Sequence, residues 1–205
     1  GNGGIFNSML KKGVIDDLEK RGVEWVFIGS VDNILLKSVD SLLLGLTVSE
    51  GNQIGTRTVL KRDPEERVGV LCKQNNKIKV IEYTELPKEI ACIKDDEGEL
   101  VFGESHIMCN LFSLDAIKRA STKELEYHIA FKRADYLNEN GDFIKAEKPN
   151  AYKFEKFIFD SFKLFDNISI LRGKREEDFA PVKNMNGEDS PETAKKLYEN
   201  YWKKA

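Results

Sequence analysis

An acid and an amide, Asp32 and Asn33, follow a run from Val23 to Ile28, continuously apolar from Trp25 on, that exits through Gly29-Ser30-Val31. Continuous apolar runs of this kind belong to central strands buried on both faces, and ligands of open α/β sheets bind at the carboxyl ends of strands. Asp32 is therefore a candidate site residue by position, although Asp and Asn are equally favoured in plain turns. Two lysines stand apart from the general surface charge. Pro149-Asn150-Ala151-Tyr152-Lys153 places Lys153 at the start of a stretch with helical spacing. There a cation opposes the helix dipole unless an anion offsets it, so the position suits phosphate. Lys183 lies near the end of the polar segment Arg175 to Asn184, in which Phe179 and Pro181-Val182 anchor the chain and fix where the lysine points. Taken singly, each lysine reads as an ordinary solvated charge. Gly1-Asn2-Gly3-Gly4 has three glycines among four residues, a composition that allows close backbone approach, and the helical pattern Phe6, Met9, Leu10 follows it.

The elements that would position these residues are legible in outline. Val14, Ile15 and Leu18 mark one helix face, with Gly22 as its stop and the Val23–Ile28 strand after it. Residues 55 to 85 alternate, and Val68 to Lys73, the Gln74-Asn75-Asn76 corner and Lys77 to Tyr83 read as a β-hairpin with Glu82 on its second strand. A strand is expected over Ser105 to Phe112, followed by helical segments at Leu114 to Ala120 and Lys123 to His128. Asn140-Gly141 signals a tight turn between Tyr136-Leu137 and Phe143-Ile144. Apolar residues at 154, 157, 158, 162 and 165 predict a helix over Tyr152 to Phe165. Ser190-Pro191-Glu192 has the N-cap, first-position proline and early acid of a final helix. With no repeat and no long linker, the chain reads as one mixed α/β domain with a β-rich insertion.

Composition narrows the function classes. The 205 residues are 40% apolar and include 12 Phe, enough for a real core. Lys and Arg total 32 against 35 Asp and Glu, a net charge of −3, so no broad basic face exists for a nucleic-acid backbone. No apolar stretch approaches the ~20 residues of a membrane span. Three cysteines, Cys72, Cys92 and Cys109, with no CxxC spacing give neither a disulfide framework nor a zinc site, which fits a reducing, cytoplasmic compartment and small buried thiols. The start, which lacks both Met and the character of a signal peptide, reads as interior to a longer protein.

Five segments taken together go further. Gly1 to Gly4, WVFIGSVDNILLK (25 to 37), RVGVLCKQNNKIKVIEYTEL (67 to 86), PNAYKFEKFIFD (149 to 160) and REEDFAPVKN (175 to 184) resemble, in order and spacing, the UDP-sugar pyrophosphorylases, especially their UDP-N-acetylglucosamine branch. The resemblance implies a partial GT-A-like, Rossmann-type nucleotidyltransferase core that condenses UTP with a sugar 1-phosphate, glucose or N-acetylglucosamine 1-phosphate, using Mg²⁺ and releasing pyrophosphate. It implies that Gly1, Asn2 and Gly3 approach the nucleotide sugar and that Asp32 stands near the phosphates and the metal. It further implies that Glu82 binds sugar hydroxyls, that Phe157 and Phe159 flank the sugar (at a spacing equally suited to core), and that Lys153 and Lys183 face phosphate.

Two departures qualify the match. Where that branch has a sugar-contacting asparagine this chain has His106, which leaves the hexose open; His106 is equally a packed strand residue, and His128 reads as structural. The family's glycine-rich loop ending in Gly-Thr-Arg-Leu-Gly is absent. Gly55-Thr56-Arg57-Thr58 echoes it but follows no strand-to-loop pattern. Residues 1–205 therefore read as the C-terminal portion of the catalytic domain, inactive alone. The alternatives are a GT-A glycosyltransferase using a UDP-sugar and a non-catalytic nucleotide-sugar-binding module.

Overall fold

The computed structural model describes residues 1–204. A 3₁₀ turn over Asn2–Gly4 leads into helices α1 (Ile5–Lys11) and α2 (Val14–Lys20) and strand β1 (Trp25–Gly29). Helix α3 (Ser41–Ser49), β2 (Ile54–Leu60), β3 (Val70–Gln74), β4 (Lys77–Ile81), the short α4 (Lys88–Ala91), the long β5 (Glu104–Ser113) and α5 (Leu114–Ser121) follow. Then come β6 (His128–Lys132), β7 (Tyr136–Leu137), β8 (Phe143–Ile144), β9 (Ala151–Glu155) and a 3₁₀ helix over Ile158–Leu164. The chain closes with β10 (Ser169–Arg172), the single turn α6 (Arg175–Asp178) and α7 (Pro191–Lys204).

β5 is the spine of a six-stranded mixed sheet with the order β10-β2-β5-β3-β4. One side of β5 carries β2. The other is divided, with β1 against Cys109–Ser113 and β3 at Ser105. Every pairing in this sheet is antiparallel except β10 with β2. The sheet therefore forks where β1 ends and β3 begins. β1 was expected to be a central strand buried on both faces; it pairs with β5 alone and is mostly half-buried.

Alternation along the strands sorts side chains to two cores. Val26, Ile28, Ile54 and Phe112 pack with Phe6, Ile15, Ile117 and Phe162 from the helices on one face. Phe27, Val59, Ile107 and Cys109 pack with Phe179 on the other. Phe6 meets Phe112 edge-on with ring centres 5.4 Å apart, a geometry worth about 0.5–1.5 kcal/mol beyond the area buried.

Local chemistry explains the elements that agree with the sequence. Asn75 and Asn76 both have positive φ, 50° and 62°, the mirror-image turn whose twist suits a hairpin. Ser113 caps α5 by accepting the Ala116 N–H at 3.1 Å, and Ser190 accepts from Thr193 N at 3.4 Å at the start of α7. Two expected helices are not formed. In residues 123–128 only Leu125 is buried, and no apolar stripe exists for a helix to bury. Tyr152–Phe165 splits because β9 is taken up as the partner of β6, Lys153 opposite Ala130, and a helix starts only at Ile158. Of the three cysteines only Cys109 is buried; Cys92 is exposed. Residues 55–60 are buried almost continuously rather than alternately.

Candidate active site

A cavity of about 180 Å³ opens at the fork of the sheet. Asn2, Asp32, Glu82, His106, Phe157, Phe159 and Lys183 all line it, seven residues that the sequence singled out from segments scattered over the whole chain. Ser30, Arg67, Gly69, Met108 and Phe179 join them; the sequence singles out none of these as a site residue, although Phe179 reads as an anchor for Lys183 and only Met108 lies outside the segments that carry the resemblance.

The fork is shaped by β5. Its pairing with β2 steps from Cys109 opposite Arg57 to His106 opposite Thr58, so Ile107 and Met108 form a bulge. Met108 holds φ at 55°, a left-handed conformation that costs a non-glycine residue about 1–3 kcal/mol and is kept where the surroundings enforce it. Here they do: Ser30 N donates to Met108 O at 3.0 Å, and His106 N donates to Gly69 O at 2.9 Å, tying both prongs of the fork to the bulge. No glycine or proline marks the bulge, so the sequence carried no sign of it.

Asp32 and Lys183 are positioned as one unit. The buried Asn33 donates to Asp178 O at 2.8 Å and accepts from Ala180 N at 2.8 Å, while Val182 N donates to Asp32 O at 2.8 Å. The turn after β1 is thus stitched to the 178–183 segment. Behind it lies a buried ion network in which Asp178 pairs with Lys37 at 2.9 Å and Arg57 at 3.3 Å, and Arg57 also binds Asp40. Ser30 Oγ donates to one Asp32 oxygen, and the other carries no hydrogen bond among the described residues. The Lys183 ammonium sits 5.7 Å from the Phe179 ring centre and, among the described residues, has no carboxylate partner.

The opposite wall combines a carboxylate, an imidazole and two stacked rings. Burial and the charges of Glu85 and Glu155 push the Glu82 carboxyl above its usual range, against the opposing pull of His128 and Lys183. A side chain at Gly69 would meet Val80 at 2.8 Å and the Glu82 carboxylate at 3.2 Å, so glycine leaves Glu82 its space. His106 Nε2 lies 2.9 Å from Asn110 Oδ1, which also accepts from Thr56 Oγ1 at 2.8 Å. Burial holds the His106 ring down at about 4, so at neutral pH it is uncharged. The amide oxygen can only accept, which places the single ring proton on Nε2 and leaves Nδ1 as an acceptor. Phe157 and Phe159 stack at 5.0 Å with planes 19° apart.

Three expected site residues are not brought to the cavity. Lys153 is on strand β9 rather than at a helix start, exposed, and paired with Glu155 at 3.0 Å. Gly1 and Gly3 serve packing. A Cβ on Gly3 would stand 2.8 Å from the Lys156 and Phe157 backbone, and one on Gly1 would overlap Lys156 O. Their neighbour Asn2 uses its Oδ1 to accept from Ile158 N at 2.8 Å, so this turn docks the chain start against the segment that carries Phe157. Arg57 of the Gly-Thr-Arg echo is buried inside β2.

The structural neighbours of this forked mixed sheet are UDP-sugar pyrophosphorylases, so the fold is that of a nucleotidyltransferase. Residues 1–189 match the family model described as UTP–glucose-1-phosphate uridylyltransferase, and the chain belongs to that family. It is 38% identical over 201 residues to the human UDP-N-acetylhexosamine pyrophosphorylase-like protein 1, covering 95% of this chain and 39% of that one. A structure of a candidate UDP-N-acetylglucosamine pyrophosphorylase from Entamoeba histolytica superposes with a TM-score of 0.87 at 34% identity, covering 98% of this chain and 50% of that one. The Trypanosoma brucei UDP-N-acetylglucosamine pyrophosphorylase structure, in complex with inhibitor, gives 0.74 at 31% identity over 90% of this chain and 36% of that one. The chain spans about two-fifths of the length of the curated relatives it matches.

Proposed function

We propose that this chain supplies the sugar-facing part, and some of the phosphate-facing part, of a longer catalytic domain that condenses UTP with a hexose 1-phosphate into a UDP-sugar and pyrophosphate. The observation that carries the proposal is the convergence of Asp32, Glu82, Lys183 and the Phe157–Phe159 pair on one cavity. In that reaction an oxygen of the sugar phosphate attacks the α-phosphorus of UTP in line and pyrophosphate departs, so the protein positions two anions and stabilises spreading charge. No nucleophilic side chain is required. Glu82 as carboxylate accepts hydroxyl hydrogen bonds from the sugar, the Phe157 ring packs on its apolar face, and His106 Nδ1 accepts from a hydroxyl or an amide N–H. An amide N–H suits an N-acetylhexosamine, the sugar class in the human relative's name. Lys183 and Arg67 meet phosphate oxygens.

Among the described residues no group of three or more His, Cys, Asp or Glu is placed to hold a metal ion. A single carboxylate with an uncommitted oxygen is nonetheless the donor set Mg²⁺ uses when phosphate oxygens and water complete its shell, so Asp32 fits that ion. Bound there, Mg²⁺ would neutralise charge between the phosphates. Asp32→Asn keeps the Ser30 contact and removes the charge; in the longer protein it is expected to lower activity and raise the magnesium concentration needed for half-maximal rate. An unchanged rate and magnesium dependence would make Asp32 a turn residue.

The deciding experiment is pyrophosphate release from UTP with a panel of sugar 1-phosphates. Lys183→Ala is expected to lower turnover by ~10²–10³, the cost of one preorganised charge-stabilising group. Stability should change by no more than ~0.5 kcal/mol because the side chain is exposed. Wild-type turnover in this variant removes Lys183 from the site, and hydrolysis of UDP-sugar without pyrophosphate exchange would favour a glycosyltransferase. The compartment we infer is the reducing cytoplasm, where Cys72, Cys92 and Cys109 stay free.

A further inference from the structure

His128 opens β6 behind the Phe157 ring, with its side chain 20% exposed. Its Nδ1 lies 2.8 Å from Glu85 Oε1 and its Nε2 3.0 Å from Asp160 Oδ2. Both partners are acceptors, and only the imidazolium form carries a proton on each ring nitrogen. Burial opposes that charge, but the hydrogen bonds and charges of Glu85 and Asp160 prevail, and the ring titrates above its ordinary value. The other charged groups that sense this position are mainly acidic: Glu82, Glu126 and, beside Glu82, Glu155. The facing cations are Lys163, already paired with Glu126 at 2.8 Å, and Lys79.

What the two carboxylates hold is the sugar-side wall of the cavity. Glu85 N donates to Glu82 O at 2.9 Å, so the turn gripped by the ring carries Glu82. Asp160 follows Phe159, and its N–H donates to Phe157 O at 3.2 Å. The imidazole itself meets Phe157 edge-on at 4.8 Å and Phe159 at 6.1 Å. Three segments far apart in the chain, the turn after β4, the start of β6 and residues 157–160, therefore share one charged ring.

We propose that His128, clamped as an imidazolium between Glu85 and Asp160, is a positioning residue that fixes Glu82 and the Phe157–Phe159 wall and thereby sets affinity for the sugar. The sugar part rests on the reading of Glu82 and Phe157 given above. The clamp is at full strength below the unfolded pKa of ~6.5 and is lost as pH rises through the raised folded value, because a neutral ring can donate to only one carboxylate.

The chain has two histidines, which makes the test direct. In an NMR titration of the 205-residue chain, His106 should stay neutral down to about pH 4. His128, identified by its loss in His128→Gln, should titrate above ~6.5 with the Phe157 ring resonances following the same midpoint. The double variant Glu85→Gln/Asp160→Asn should bring that midpoint down. A His128 midpoint at or below ~6.5, or Phe157 resonances that ignore it, overturns the clamp. In the longer protein, His128→Gln should raise KM for the sugar 1-phosphate about tenfold with kcat little changed, as for loss of one charge-assisted contact. The wild-type KM should rise as pH rises through the His128 midpoint, and His128→Gln should flatten that rise. Wild-type KM and pH profile in His128→Gln overturn the positioning role. Absence of any uridylyl transfer would instead sink the proposed function, while the titration still decides the clamp.

Discussion

Arg57→Ala is expected to destabilise the 205-residue chain by about 3–5 kcal/mol, the cost of removing one partner from a buried ion pair. Arg57 is 8% exposed, in the middle of β2, and it is shared between Asp40 and Asp178, themselves almost fully buried. Truncation would leave two carboxylates facing a void, with only Lys37 to compensate Asp178. The damage would also reach the site. Asp178 O accepts from Asn33, and Asp40 caps α3 by accepting the Leu43 N–H at 3.0 Å, so the segment that holds Asp32 and Lys183 loses its backing. Urea unfolding measures the loss, and a change below about 1 kcal/mol, the size of an exposed pair, would show that the network is not what holds this face together.

The same network carries an acid signature. Burial alone would raise the Asp40 carboxyl, but the Arg57 hydrogen bond, the Leu43 N–H and the charges of Arg57 and Lys37 hold it below its usual 3.8. A depressed carboxylate contributes stability above its unfolded pKa and loses it as pH falls through the folded value. The wild-type chain should therefore lose this contribution only below about pH 4, whereas Arg57→Ala should already lack it at neutral pH.

How much of this was legible depended on whether the cause was local. The β3–β4 hairpin followed from a two-asparagine turn between alternating strands, and α7 from its N-cap and first-position proline. Asp32 was visible because an acid after a buried run sits at a strand end whatever surrounds it. Lys153 was misplaced because the spacing from 154 to 165 fits a helix until a remote partner, β6, takes residues 151–155 into a strand. Arg57 could be rejected as a phosphate loop but not understood, since its partners lie 17 residues before and 121 residues after it. The bulge at Met108 and the clamp on His128 had no sequence mark at all, because both are imposed by neighbours from other elements. The resemblance to pyrophosphorylases supplied the roles of Glu82 and the two phenylalanines; spacing alone had left them as strand and core.

The 205-residue chain by itself is expected to fold and to release no measurable pyrophosphate from UTP and any sugar 1-phosphate. Folding follows from two packed cores on either side of a continuous sheet. Silence follows from what the cavity lacks. At about 180 Å³ it is smaller than the ~300–1,000 Å³ of sites that enclose a whole ligand. Its lining includes two cations, Lys183 and Arg67, where the proposed reaction would bring a triphosphate and a sugar phosphate together. A site that holds one reactant forfeits the in-line positioning of two, worth roughly 7–11 kcal/mol at its upper range, far more than any single side chain considered above. Weak binding of a UDP-sugar, dependent on Glu82, should survive. The measurement is pyrophosphate release by the purified chain beside the longer protein, with UDP-sugar binding followed by calorimetry. Comparable rates from the two would show that the cavity at the fork is a complete active site, and that the cations and volume it lacks are not needed.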